Sequence, residues 1–176
     1  MTRRRKPFTM NPDAVAQAAR LIDRTEDTGK EYSLTFCGGG YRMRSSGDRD
    51  GVTPDACPTN SSERGTFHTH PKGDARPSGA DVLVALQQQH KFQCIGILKD
   101  GEPAIQCLEF KRDAPSWKTT EAELRYTAEL ADRSQKTKSK HQRSALADLD
   151  SALLRAIERR AILAKVAYIR RARRRA

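Results

Sequence analysis

The sequence predicts a mixed α/β (α+β) fold in which a β-sheet is flanked by helices and followed by a helical extension. Helix-like and strand-like segments alternate over residues 10–113, and such alternation is typical of a sheet covered by helices. Further along, apolar residues recur at spacings of three and four, which is typical of helices. The 176 residues suit one compact domain with an appendage. We therefore divide the chain into a basic N-terminal arm (1–9), a main domain (10–113) and a basic helical extension (114–176).

The N-terminal part of the main domain is predicted to contribute one helix and one strand. Asn11 can cap a helix and Pro12 is favoured at its first position, so we expect a helix over residues 12–24. A strand-like segment follows at 31–36 and ends at three consecutive glycines. Residues 41–62 are rich in Ser, Gly, Asp and Pro, which predicts a loop or an irregular hairpin.

A strand, a helix and a hairpin are predicted next. In order, these are a strand over 64–70, a loop, a helix over 78–90 and a hairpin of 92–98 with 103–110. The hairpin is predicted because Asp100-Gly101 separates two apolar runs. Counting outward from this turn places Cys94 opposite Cys107. A disulfide is one interpretation of this pair, and two buried free thiols are the favoured one, because cytosolic proteins are usually kept reduced.

Hydropathy and charge restrict the cellular setting and the partners. No window approaches the roughly 20 apolar residues of a membrane span, and no apolar stretch follows the basic residues 2–6, so a signal peptide is not expected. We therefore expect an intracellular, cytoplasmic protein with no membrane partner. The formal net charge is +11, yet residues 7–113 hold 13 basic and 15 acidic residues. The positive charge that could attract nucleic acid thus lies at the two ends of the chain.

The C-terminal extension predicts two helices joined by a basic linker. The first covers residues 119–133, with Thr120 and Glu123 in capping-box spacing, and the second is a long amphipathic helix over 145–176. Five arginines lie near its end: Arg170, Arg171, Arg173, Arg174 and Arg175. They could neutralise the phosphates of a nucleic acid or bind an acidic protein. Alternatively, they are a solvated helix end whose cations suit the helix dipole.

Residues 68–81, HTHPKGDARPSGAD, contain candidate metal ligands. Alternate side chains of a strand share a face, so His68 and His70 can bind one ion. The following short loop brings Asp81, in the first turn of the next helix, back over the strand. Two histidines and one carboxylate leave the fourth zinc position open to water, as in catalytic sites. Taken separately, the two halves have simpler interpretations, because Ser78 and Asp81 have capping spacing and an isolated His-x-His is often surface chemistry.

The combined pattern, H-x-H-x7-S-x-x-D with its Pro and Pro-Ser, resembles the JAMM (MPN-plus, JAB) metalloprotease family. The resemblance covers about residues 10–112. It implies an MPN/JAB-like, cytidine-deaminase-like core with a central mixed β-sheet, and a glutamate on the strand after the first helix. Glu31 occupies the matching place, although Leu34 stands where the family commonly has a glycine. Glu26 and Glu63 are the alternative glutamates.

The resemblance also implies a chemistry. His68, His70 and Asp81 would bind one Zn²⁺ per chain. Glu31 would act as general acid and base on a catalytic water, and Ser78 would donate a hydrogen bond to the oxyanion. The expected reaction is zinc-dependent hydrolysis of peptide or isopeptide bonds. It would remove or process a ubiquitin-like or sulfur-carrier modifier at its C-terminal glycine, as in prokaryotic, archaeal or viral types.

Two other classes of function stay open. One is a non-catalytic MPN scaffold, and the other is a RadC-like protein that associates with nucleic acid through its basic tails. The oligomeric state is also open, with a dimer among the alternatives.

Overall fold

The computed structural model describes residues 10–40, 42–71, 77–137, 139–142, 144 and 162–168, and its class is α+β, as predicted. The longer helices are α1 (Pro12–Thr28), α2 (Gly79–Gln87) and α3 (Trp117–Lys136). The strands are β1 (Tyr32–Cys37), β2 (Arg42–Ser46), β3 (Glu63–Thr69), β4 (Phe92–Lys99), β5 (Glu102–Phe110) and β6 (Ile162–Tyr168). A short 3-10 helix, Gly38–Gly40, follows β1.

The strands form a mixed open sheet. β1 to β5 lie in the order β2-β1-β3-β4-β5, and β6 pairs with the outer edge of β5. β3 and β4 are parallel, whereas the other neighbouring strands are antiparallel. Parallel neighbours need a crossover connection, which here contains α2. The central mixed sheet expected from the sequence is therefore present, and the crossover brings the start of α2 to the end of β3.

Different helices cover the two faces of the sheet. Ile105 and Leu108 are an odd number of residues apart on β5, so they point to opposite faces. Ile105 belongs to a buried cluster that includes Ile22 of α1 and Phe67 of β3. Leu108 belongs to a cluster with residues of α2 and α3, including Leu86. The residues of β3 next to Phe67 therefore face α2, and α3 shares its core with the main domain.

The C-terminal extension differs from its prediction in two respects. α3 forms near its expected position, but Thr120 is not its cap, because the Thr120 hydroxyl donates to the carbonyl of Ser116 within the first turn. The prediction of a long amphipathic helix over 145–176 is wrong for Ile162–Tyr168, because this segment forms β6. This segment contains Ile, Val and Tyr, which are enriched in strands, and a short apolar run fits either periodicity. Pairing with the free edge of β5 is the interaction that selects the strand. Residues 145–161 and 169–176 lie outside the described part of the chain.

All four cysteines form disulfides, Cys37 with Cys57 and Cys94 with Cys107. The hairpin register places Cys94 opposite Cys107, as predicted, but the favoured free-thiol interpretation is wrong. Disulfides are rare in the reducing cytosol, which weighs against the predicted cytoplasmic location. Within the part of the chain that the structure describes, no helix has the length and apolar character needed to cross a membrane.

Candidate metal centre

His68 and His70 lie at the end of β3, on the sheet face that α2 covers. His68 is buried, with 5% of its surface exposed, and its Nε2 lies 3.0 Å from Nε2 of His70. The backbone N–H of His70 donates to the carbonyl of Gly96 at 3.0 Å. This bond continues the pairing of β3 with β4 beyond the last residue of the strand. The two imidazoles therefore share a face, as strand alternation predicts.

Asp81 reaches the two histidines through the connection between the parallel strands. It lies in the first turn of α2. Its Oδ1 lies 3.3 Å from Nε2 of His68, and its Oδ2 lies 3.9 Å from Nε2 of His70. Each of the three residues offers a ligand atom, and these atoms all lie within 4.8 Å of one another. The three side chains thus form a group that could hold a metal ion.

The spacing of the three donors is compatible with zinc. Zinc bonds of about 2.0–2.2 Å to nitrogen or oxygen, in tetrahedral geometry, place neighbouring ligand atoms roughly 3.3–3.6 Å apart. The distance of 3.0 Å between the two Nε2 atoms and that of 3.3 Å between Oδ1 of Asp81 and Nε2 of His68 lie close to this range. Two histidines and one carboxylate are also a typical ligand set for catalytic zinc. Donor chemistry and spacing therefore agree.

Ser78 caps α2 and orients Asp81 at the same time. The N–H and the hydroxyl of Ser78 both donate to Oδ2 of Asp81 at 2.6 Å, and the N–H of Asp81 donates to Oγ of Ser78 at 3.2 Å. The capping box predicted from the spacing is therefore present. Ser78 holds Oδ2, so Oδ1 is the oxygen better placed to bind an ion. The single hydroxyl proton of Ser78 is donated to Asp81, so its role towards an oxyanion stays a prediction.

Glu31 immediately precedes β1 and is 9% exposed. Its N–H donates to the carbonyl of Asp48 at 2.7 Å, and its carbonyl accepts from the N–H of Gly47 at 2.9 Å. Ser33, two residues further along, pairs with His68 in the register of β1 with β3. Glu31 therefore lies on the same sheet face as His68, and its backbone is fixed by the chain that follows β2.

The two carboxyls of the site have opposite pKa shifts. Burial raises the pKa of Glu31 to about 7 against the opposing charge of His68, and the Asp81 carboxylate adds to the rise. Burial also acts to raise the pKa of Asp81, but the charge of His68 and hydrogen bonds from His68 and Ser78 lower it to about 2. Burial acts to lower the pKa of His68, yet the Asp81 carboxylate raises it overall. At neutral pH the metal-free site therefore contains an ionised Asp81 and a partly protonated Glu31.

Glu31 and the three candidate ligands line one cleft of about 660 Å³. One side of the cleft is formed by α2, including Val84, and another by residues 49–52 of the connection between β2 and β3. The Cys37–Cys57 disulfide ties this connection to β1. Sequence analysis missed this wall, because a composition rich in Ser, Gly, Asp and Pro predicts a loop without indicating what it covers.

The alternative glutamates do not line this cleft. Glu63 begins β3, at the opposite end of the strand from His68, and its Oε1 lies 2.6 Å from Nε2 of His90. Glu26 belongs to α1, which packs on the other face of the sheet. The lack of ligand spacing at His90 predicts an exposed side chain, and this is wrong, because His90 is fully buried in its pair with Glu63.

The basic ends of the chain lie outside the described residues. They comprise the N-terminal arm (1–9) and the five arginines Arg170, Arg171, Arg173, Arg174 and Arg175. Binding of nucleic acid or an acidic protein through these residues therefore stays a prediction.

No protein-family model matches the chain, and no curated protein matches its sequence. The geometry of the cleft is consequently the basis on which a function can be inferred.

Proposed function

We propose that this chain is a zinc-dependent hydrolase of peptide or isopeptide bonds, of the kind that the resemblance to the JAMM family implies. The observation that supports the proposal is the presence of two histidines, an aspartate and a buried glutamate in one cleft. His68, His70 and Asp81 would hold the ion. The substrate would be a ubiquitin-like or sulfur-carrier modifier attached through its C-terminal glycine.

Glu31 is the proposed general acid and base. Zinc, when bound, would polarise a carbonyl oxygen and lower the pKa of a water to about 7. Glu31 accepts a proton from the attacking water and returns one to the leaving amine, which is most efficient when its pKa lies near the working pH. Burial raises the pKa of Glu31 to about 7 in the metal-free chain, which is the direction that this role requires. Cations lower the pKa of a nearby carboxyl, so loading of the site favours the ionised form that accepts the first proton.

Asp81 and Ser78 have complementary roles in this proposal. A carboxylate must be deprotonated to bind a metal, and the pKa of Asp81, about 2, keeps it ionised at neutral pH. Ser78 fixes Oδ2 of Asp81 by two hydrogen bonds, and hydrogen bonds of this kind orient metal ligands. Ser78 would take the oxyanion role if its hydroxyl turned from Asp81 towards the developing charge.

The shape of the cleft supports a peptide tail as the ligand. Its volume of about 660 Å³ lies within the range of about 300–1,000 Å³ that is usual for ligand sites. Val52 and Val84 offer apolar contacts, and Arg49 offers a cation that can bind carbonyl or carboxylate oxygens. An extended tail ending in narrow glycine residues would enter the cleft while the folded modifier stayed outside.

Zinc content tests the first half of the proposal. Elemental analysis of the purified chain should give one zinc per chain, and His68→Ala should give none. His141→Ala is the matched control, because His141 is exposed and does not line the cleft. A folded wild-type chain that takes up no zinc on reloading would contradict the proposal and favour the non-catalytic scaffold.

Hydrolysis tests the second half. The substrate is a ubiquitin-like modifier joined through its C-terminal glycine to a fluorogenic amine. Glu31→Gln should keep zinc and lose hydrolysis, since glutamine cannot carry the proton. Hydrolysis by this variant at the wild-type rate would remove Glu31 from the mechanism.

A further inference from the structure

Thr69 lies between the two candidate histidine ligands, and its side chain points away from them. Successive residues of a strand alternate faces, so Thr69 faces α1 while His68 and His70 face α2. Thr69 has no exposed surface. A fully buried hydroxyl must find hydrogen-bond partners or destabilise the fold, and the partners of Thr69 lie on two other elements.

The first partner is the backbone of β1 next to Glu31. The N–H of Tyr32 donates to Oγ1 of Thr69 at 3.0 Å. The register of β1 with β3 pairs Ser33 with His68 at the end of the ladder. The N–H of Tyr32, the residue that follows Glu31, therefore donates to the Thr69 hydroxyl instead of to a backbone carbonyl.

The second partner is the last part of α1. Oγ1 of Thr25 lies 2.5 Å from Oγ1 of Thr69, and Thr25 is 5% exposed. The carbonyl of Thr25 accepts the N–H of Gly29 at 2.7 Å, and Gly29 ends the helix with φ 65°. A single hydroxyl thus joins the end of α1, the start of β1 and the strand that carries both histidines.

We propose that Thr69 is a positioning residue that holds His68, His70 and Glu31 in one arrangement through its hydroxyl. The backbone N–H of His70 is bonded to β4 on one side of the strand, and the Thr69 hydroxyl accepts the N–H of Tyr32 in β1 on the other. Without the hydroxyl, the N–H of the residue that follows Glu31 loses this acceptor on the strand end that carries the histidines. This inference rests on the proposed function, because it takes His68 and His70 as metal ligands.

The test compares the loss of the hydroxyl with the loss of the methyl group in the full-length chain. Thr69→Val keeps the side-chain volume and removes the hydroxyl, whereas Thr69→Ser keeps the hydroxyl and removes the methyl group. Thr127→Val is the matched control, since Thr127 is also fully buried but bonds within α3 to the carbonyl of Glu123. Zinc affinity is measured by competition with a chromogenic chelator, and site geometry by the visible absorption of bound cobalt(II).

Thr69→Val should weaken zinc binding by about 10-fold or more, as changes to groups that support metal ligands commonly do, and should change the cobalt(II) spectrum. The zinc affinity of Thr69→Ser should stay within about threefold of wild type, even if the thermal midpoint of this variant falls. The zinc affinity of Thr127→Val should match wild type. If Thr69 acted through packing alone, the order of zinc affinities would be reversed, and Thr69→Ser would bind zinc more weakly than Thr69→Val.

The two proposals fail in different ways. A wild-type chain that binds no zinc would overturn both. Zinc affinity and a cobalt(II) spectrum unchanged in Thr69→Val would overturn the role of Thr69 and leave the metal site intact. If Thr69→Val does not fold, Thr69→Ala decides by comparison with Thr69→Ser, because these two variants both lack the methyl group and differ only in the hydroxyl. Equal zinc affinity in Thr69→Ala and Thr69→Ser would then overturn the inference, and weaker binding by Thr69→Ala would support it.

Discussion

Replacement of Glu31 by glutamine should stabilise the metal-free protein at neutral and alkaline pH. Glu31 is 9% exposed, and burial raises its pKa from 4.5 to about 7. Glutamine has nearly the same shape as glutamate and stays neutral at every pH. The difference in free energy of unfolding between Glu31→Gln and wild type therefore reports the ionisation of this carboxyl.

The sign of the effect follows from the two pKa values. A carboxyl whose pKa is higher in the folded state binds its proton more tightly there, so ionisation opposes folding. The favourable contribution of the protonated Glu31 to the free energy of unfolding is fully present below pH 4.5 and is lost as the pH rises through about 7. The shift of about 2.5 units, at 1.36 kcal/mol per unit, corresponds to about 3 kcal/mol. Between pH 4 and pH 8 the variant should therefore gain about 3 kcal/mol relative to wild type.

Urea unfolding over this pH range measures the difference, with a chelator present and the disulfides intact. Glu129→Gln is the matched control, because Glu129 is exposed on α3, and its difference from wild type should not vary in this way. A Glu31→Gln difference that stays constant within about 1 kcal/mol, the usual error of such extrapolations, would refute the reasoning. The ionised carboxyl would then carry no burial penalty in the folded state.

Three other changes have defined outcomes. Asp81→Ala should lose zinc and hydrolysis together in elemental analysis and the fluorogenic assay, and retained zinc would remove Asp81 from the ligand set. Ser78→Ala should lower the free energy of unfolding by about 1 kcal/mol, the usual effect of losing an N-cap, and slow hydrolysis. An unchanged urea midpoint would contradict the capping geometry. Serine at both Cys37 and Cys57 should destabilise the chain by about 3 kcal/mol through loop-closure entropy over a separation of 20 residues. Iodoacetamide should add no label to the unfolded, unreduced wild type, and labelling would restore the free-thiol interpretation.

The parts of the site that the sequence predicted are those governed by local geometry. Strand alternation alone puts His68 and His70 on one face, and the capping spacing alone puts Asp81 at the start of a helix. The turn at Asp100-Gly101 likewise determines the pairing of its two strands. In each case the relevant residues are close in sequence, so the period of one element decides which side chains meet.

The parts that the sequence did not predict depend on contacts between distant segments. β6 forms because the edge of β5 is available to it, and the apolar spacing of that segment also fits a helix. Cys37 and Cys57 meet because the connection between β2 and β3 folds back on β1, which no local pattern indicates. The burial of His90 depends on Glu63, which lies 27 residues earlier in the chain.

The proposed division of labour between Asp81 and Glu31 rests on their positions in the fold. Asp81 lies in the first turn of α2, where the helix dipole favours a negative charge, and its hydrogen-bond donors lower its pKa to about 2. Glu31 lies at the start of a buried strand, and desolvation raises its pKa to about 7. Two carboxyls whose surroundings push their pKa values apart are suited to different roles. In the proposed mechanism, the carboxylate that stays ionised is suited to bind a cation, and the carboxyl whose pKa burial raises is suited to carry a proton.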